Sequence, residues 1–136
     1  MTIGAVRARA RRRQTYERGL RAEWVAAWWL RCHGYRVLAR RLRTPAGEID
    51  LVIRRGHTLA IVEVKRRETE EAALYAVSPR QQRRLARAAR FALARFAGRS
   101  GTGPLPDLRF DLVTIRPWRL PRHYPDASRP ATDGAI

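Results

Sequence analysis

Glu48, Asp50, Glu63 and Lys65 stand inside the segment GEIDLVIRRGHTLAIVEVKRR (47–67), three carboxylates and an amine set among branched apolar residues. Carboxylates crowded at the end of an apolar hairpin repel each other, and burying either charge without a partner costs several kcal/mol. A hard divalent cation between them resolves the conflict, because Mg²⁺ takes oxygen ligands, commonly one or two protein carboxylates with waters and substrate phosphate. Lys65, two residues beyond Glu63, would hold or deprotonate an attacking water, or stabilise charge building on the phosphate. The chemistry such a set can perform is metal-assisted hydrolysis of a phosphodiester, with Asp50 and Glu63 as ligands to Mg²⁺ or Mn²⁺.

Lys65 is the chain's single lysine; the other 28 of its 29 basic residues are arginine. Arginine cannot replace an amine that must shift its pKa or act as a compact donor, so the position points to a need for lysine. The competing interpretation is that E-x-K on a strand is a surface ion pair of little energetic weight.

Whether these residues meet depends on the turn between their strands. Side chains alternate along a strand, so Glu63 and Lys65 share a face with Ile61, and Glu48 and Asp50 share one with Val52. A two-residue turn at Arg55-Gly56 or Gly56-His57 brings both polar pairs to one face, and the second of these sets Asp50 opposite Glu63. A three-residue turn would send them to opposite faces.

The elements that must position this hairpin follow from periodicity. Leu20, Trp24, Ala27, Trp28 and Arg31 recur at helical spacing from Thr15 on, which predicts a first helix with a Trp-rich stripe facing the core and Gly34 as its stop. On that reading Trp24, Trp28 and Trp29 are core residues rather than base-stacking platforms. Strands are expected over 35–43, 49–53, 58–65 and 108–115. Residues 66–77 are expected to be a mobile connection. Ser78-Pro79 opens a second helix to about Ala97, with Leu85, Ala89, Ala92, Leu93 and Phe96 inward. Arg80, Arg83, Arg84, Arg87 and Arg90 recur on another of its faces, either tracking phosphates or forming a solvated basic surface. The order is helix, three strands, helix, strand, with antiparallel hairpins first and a helical crossover last.

A length of 136 residues, 45% hydrophobic, suits one domain with one core. The division expected is a disordered basic arm over 1–14, a domain over 15–116 and a Pro-rich disordered tail over 117–136. A net charge of +17 makes nucleic acid the leading partner. One cysteine, Cys32, cannot form an internal disulfide, and no apolar run reaches bilayer length, so a reducing cytoplasm and no membrane are expected. His33, His57 and His123 show no metal spacing. Asp111, inside the last strand, is expected to pair with arginine rather than to neighbour a metal ligand.

At GLRAE (19–23), GEIDLV (47–52), IVEVKRR (61–67), ALYAVS (73–78) and LRFDLVTI (108–115), the chain resembles the YraN-like uncharacterised protein family. That family is similar to restriction-endonuclease-like and Holliday-junction-resolvase-like nucleases of the PD-(D/E)xK type. The resemblance implies an α/β fold with an αβββαβ core, its mixed sheet flanked by helices. It implies Asp50 and Glu63 as metal-binding acids, Lys65 as catalytic lysine, Glu23 as a helical glutamate reaching the metal through water, and Glu48 as a further site acid. Ala22 and Gln81 depart from the family's usual Gly and Lys; the second leaves the arginines of the second helix to hold DNA.

The activity these observations favour is a Mg²⁺-dependent endonuclease acting on DNA, including branched repair or recombination intermediates. A homodimer is the assembly that would let paired chains cut two strands. The alternatives are a catalytically silent nucleic-acid-binding module and a basic assembly or regulatory protein.

Overall fold

Branched apolar residues that suit a pleated surface place IDLVI and TLAIV at the centre of a sheet. In the computed structural model, which describes residues 2–66, 79–96 and 105–127, they belong to a mixed α/β fold. Its elements are helix α1 (Ile3–Cys32), strands β1 (Arg36–Thr44), β2 (Gly47–Arg55) and β3 (Thr58–Arg66), helix α2 (Pro79–Phe96), and strands β4 (Asp107–Ile115) and β5 (Arg122–Tyr124). The sheet order is β1-β2-β3-β4-β5. The first three strands pair antiparallel and β4 runs parallel to β3, reached by the crossover that contains α2. This is the αβββαβ order expected of a restriction-endonuclease-like core. The connection at 67–78, most of the loop before β4 and the last residues of the tail lie outside the described residues.

Each helix covers one face of the sheet. Ala26, Ala27 and Leu30 of α1 pack on Leu51, Ile53, Ala60, Val62 and Val113. Leu85, Ala88, Ala89 and Ala92 of α2 pack on Leu42, Ile49, Val52, Leu59 and Ile61. Alanines at both contacts let the helices lie close to the strands they cover.

Three expectations are corrected. The arm expected to be disordered is helical from Ile3 on. Alanine and arginine are strong helix formers, and the Thr2 hydroxyl accepts a hydrogen bond from the Ala5 N–H at 3.4 Å, capping the start. The tail expected to be disordered from Pro117 supplies β5, which pairs antiparallel with β4 through Leu112↔Tyr124, Val113↔His123 and Thr114↔Arg122. The tryptophan stripe does not face the core: Trp24 and Trp28 are 55% and 56% exposed, while Ala22, Glu23, Ala26, Ala27 and Leu30 are buried. The helix is rotated by about one position from the stripe of largest side chains, because indoles there would hold it away from the strands.

Candidate metal centre

The turn that decides the site is Gly56-His57, since Arg55 pairs with Thr58 and the ladder continues to Leu51↔Val62. In this register the next pair is Asp50 and Glu63, but the strands part there. The Asp50 carboxylate fills the gap, its Oδ2 accepting the Val64 N–H at 2.8 Å. On the other side of β2 the register passes from Arg40↔Leu51 to Leu42↔Ile49, stepping over Arg41 and Asp50. Arg41 has a φ of 51°, the left-handed region that L-residues rarely adopt. Ile49 and Val52, three apart on one strand, both pack toward α2, so strict alternation breaks at this level. The sheet is thus locally irregular on both sides of Asp50, and a fork opens there.

Glu23, Glu48, Asp50, Glu63 and Lys65 all line the cleft at this fork, a space of ≈ 430 Å³ roofed by Ala22 and its neighbours on α1. Carboxylate oxygens of Glu23, Glu48 and Asp50 lie within 4.8 Å of one another. Glu63 is 8% exposed, and its Oε1 stands 3.2 Å from the Lys65 amine. Arg41 Nε donates to Glu23 Oε2 at 2.6 Å, with its Nη1 3.8 Å from Glu48 Oε1. Arg84 is the arginine of α2 that turns into this site: Nη1 donates to the Glu48 carbonyl at 3.1 Å, and Nη2 is 3.8 Å from Glu63 Oε2. Arg80, Arg83 and Arg87 are exposed on the same helix. The structure therefore brings the four expected acids and the lysine to one cleft, and separates Arg84 from the arginine row to which its spacing assigned it.

Local chemistry explains the placement of GEID. Thr44 Oγ1 donates to the Gly47 carbonyl at 2.6 Å and accepts the Ala46 N–H at 3.2 Å, closing the β1–β2 hairpin. Gly47 has φ +122°, and a Cβ there would come within 2.6 Å of Arg84 Nη1. The glycine before Glu48 is what lets Arg84 reach the site.

Burial, together with the nearby Glu63 charge, pushes the Asp50 carboxyl up to about 7, against the Val64 N–H, which favours the ionised form. Burial also raises Glu23, opposed by the Arg41 hydrogen bond. Four of the chain's 12 acids thus share one cleft in a molecule of net charge +17. An oxygen-only donor set in which burial makes Asp50 and Glu23 resist ionisation fits a hard divalent cation. Sequence reasoning missed Arg41 and the inward turn of Arg84, since one arginine among 28 carries no signal of its own.

Asp111 resolves as expected, against arginine. Its two oxygens accept from Arg109 Nε and Nη2, each at 2.8 Å, from His123 Nε2 at 2.7 Å and from the Asp126 N–H at 3.0 Å. Arg109 Nη2 also donates to the Tyr35 hydroxyl at 2.8 Å. Cys32 is exposed. No helix among the described residues is long and apolar enough to cross a membrane.

A family model described as "Uncharacterised protein family UPF0102" matches residues 22–115, which include Glu23 and all of the cleft acids. The chain is similar to a UPF0102 protein of Parvibaculum lavamentivorans, 58% identical over 115 residues covering 85% of this chain and 84% of that one. It is also similar to a UPF0102 protein of Bartonella quintana, 49% identical over 115 residues, with 85% and 91% covered. A UPF0102 protein of Methylorubrum extorquens is 50% identical over 118 residues, with 87% and 89% covered.

Proposed function

Because the chain belongs to the uncharacterised protein family UPF0102, a description that carries no activity, we propose its function from the cleft itself: a metal-dependent nuclease that hydrolyses phosphodiester bonds in DNA. The observation that carries this reading is the meeting of Asp50, Glu63 and Lys65 in one cleft where two strands part. Asp50 and Glu63 would hold Mg²⁺ or Mn²⁺, with Glu23 and Glu48 near enough to Asp50 to join through water. Such an ion supplies Lewis-acid polarisation of a phosphoryl oxygen and lowers the pKa of bound water.

The chain's own groups do the rest. Glu63 holds the Lys65 amine at 3.2 Å, which fixes a compact donor at the cleft wall for an attacking water or a phosphoryl oxygen. Arg84, tied to the Glu48 carbonyl, presents a guanidinium beside Glu63 that suits a phosphate. The exposed Arg80, Arg83 and Arg87 offer sequence-independent contacts to the strand's backbone.

The test is incubation of the purified chain with plasmid, single-stranded, forked and four-way-junction DNA, in Mg²⁺, Mn²⁺ or chelator, beside Lys65→Ala and Asp50→Asn. Metal-dependent cutting lost in both variants is the expected result. Binding without cutting in any metal would replace it with the silent module. That second reading draws on Arg41, which already provides a cation to Glu23 and Glu48. Neither cutting nor binding would leave a basic assembly or regulatory protein.

A further inference from the structure

Trp24 and Trp28 stand one turn apart on α1, each more than half exposed, with the 39%-exposed Val25 beside them. Indoles left in water on a helix that had alanine-lined space for its inward face are a feature that core packing does not account for. Trp24 is also not bare: the Arg40 guanidinium carbon lies 4.0 Å from its ring centroid. Leu20, Glu23, Trp24, Arg40 and Arg41 line a hollow of ≈ 400 Å³. Glu23 and Arg41 belong to the acid cleft as well, so the two spaces share a wall.

We propose that Trp24 and Arg40 form a stacking subsite for an unpaired base of the DNA strand whose backbone enters the acid cleft, so that the protein selects single-stranded or branched DNA over continuous duplex. The inference rests on the cleft reading above. The Arg40 guanidinium lies over one face of the indole, and a ring still 55% exposed can stack a base while that cation meets the backbone, the chemistry that recognises a nucleobase together with its phosphate. Duplex bases are already stacked on one another and present only their edges, whereas an unpaired nucleotide can turn its face to an indole. Charge complementarity favours this occupant over an apolar protein surface: beyond the Arg41–Glu23 ion pair, the wall of the hollow carries Arg40, in a chain of net charge +17.

The experiment measures binding, not cutting. Full-length protein carrying Asp50→Asn, in chelator, is titrated by fluorescence anisotropy against a labelled oligothymidylate and against a blunt duplex at several salt concentrations, with and without Trp24→Ala, Trp24→Phe and Arg40→Gln. Trp24→Ala is expected to weaken single-strand binding about tenfold and leave duplex binding within about twofold, with Trp24→Phe restoring most of the loss. Arg40→Gln is expected to lower the salt dependence on the single strand by about one phosphate contact. Equal losses on both DNAs, or none on either, would overturn the subsite. So would a change of molecular mass in Trp24→Ala with both affinities intact, which would assign the indoles to a contact with a second copy. Because turnover is never read, an absence of cutting would sink the nuclease while leaving the single-strand preference standing, and the reverse outcome would sink only the subsite.

Discussion

Asp50 and Asp111 are two aspartates set into strands of the same sheet, and their surroundings are opposite. Asp111, 3% exposed, sits at the centre of donors: Arg109 on both oxygens, His123 and a backbone N–H. Burial alone would raise its pKa, but the hydrogen bonds from His123, Arg109 and Asp126 outweigh it and hold the carboxyl below the ordinary range. That network ties β4 to β5 and, through Tyr35, to the chain leaving α1. Asp50 accepts one backbone N–H and faces other carboxylates, and it is pushed up to about 7. A buried acid that the fold satisfies belongs to the architecture; one that the fold buries beside another carboxylate and leaves hard to ionise is the group on which the proposed metal site turns.

The comparison is tested most strongly by exchanging the two losses. Asp50→Asn is expected to reduce metal-dependent cutting by at least about 100-fold while leaving thermal stability at pH 8 intact or raised. Asp111→Asn is expected to do the reverse, lowering stability by about 3 kcal/mol, or roughly 10 °C in Tm, by leaving Arg109 partly buried without its charge partner. Similar Tm losses in both variants would remove the distinction. Next in size is the pH dependence. Asp50, raised in the folded state, contributes stability that is fully present below its ordinary value of 3.8 and is lost as pH rises through about 7. Asp111, depressed in the folded state, contributes stability present above 3.8 and lost as pH falls through its lower value. Urea unfolding should therefore show the metal-free protein losing about 2 kcal/mol between roughly pH 5 and 8, a slope that Asp50→Asn flattens and Asp111→Asn keeps. Mg²⁺ at pH 8 should raise Tm in the unmodified chain and in Asp111→Asn, but not in Asp50→Asn, by calorimetry. Smallest is Arg80→Ala, on the exposed face of α2, which should change stability by less than about 0.5 kcal/mol and reduce the salt slope of DNA binding by about 1.

The hairpin was the most legible part of the chain because two independent constraints, alternation and turn length, converged on it. Gly56-His57 was one of the two turns that bring Asp50 and Glu63 together, and the ladder follows it. α2 was legible because leucine and alanine lie on one face and arginine on another. Two other elements were misread for identifiable reasons. Counting large apolar residues put Trp24 and Trp28 inward, whereas close helix–sheet packing selects the alanines beside them. β5 spans three residues, Arg122–Tyr124, too short for alternation to register, and is joined to β4 by its ladder and by the His123 bond to Asp111. Arg41 could not have been singled out at all, since its importance lies in a left-handed backbone and a 2.6 Å bond to Glu23, neither of which is written in residue type.

The bond from the Val64 amide to Asp50 Oδ2 has one more consequence. Where the β2–β3 ladder ends, a side chain stands in for the missing main-chain acceptor, so one carboxylate completes the sheet and also lines the cleft. Alanine at position 50 would strip a rung from the central hairpin along with the charge, and any defect in such a variant would mix frayed architecture with missing chemistry. Asparagine keeps an oxygen for the amide, which makes it the substitution able to separate what this residue does for the cleft from what it does for the strand.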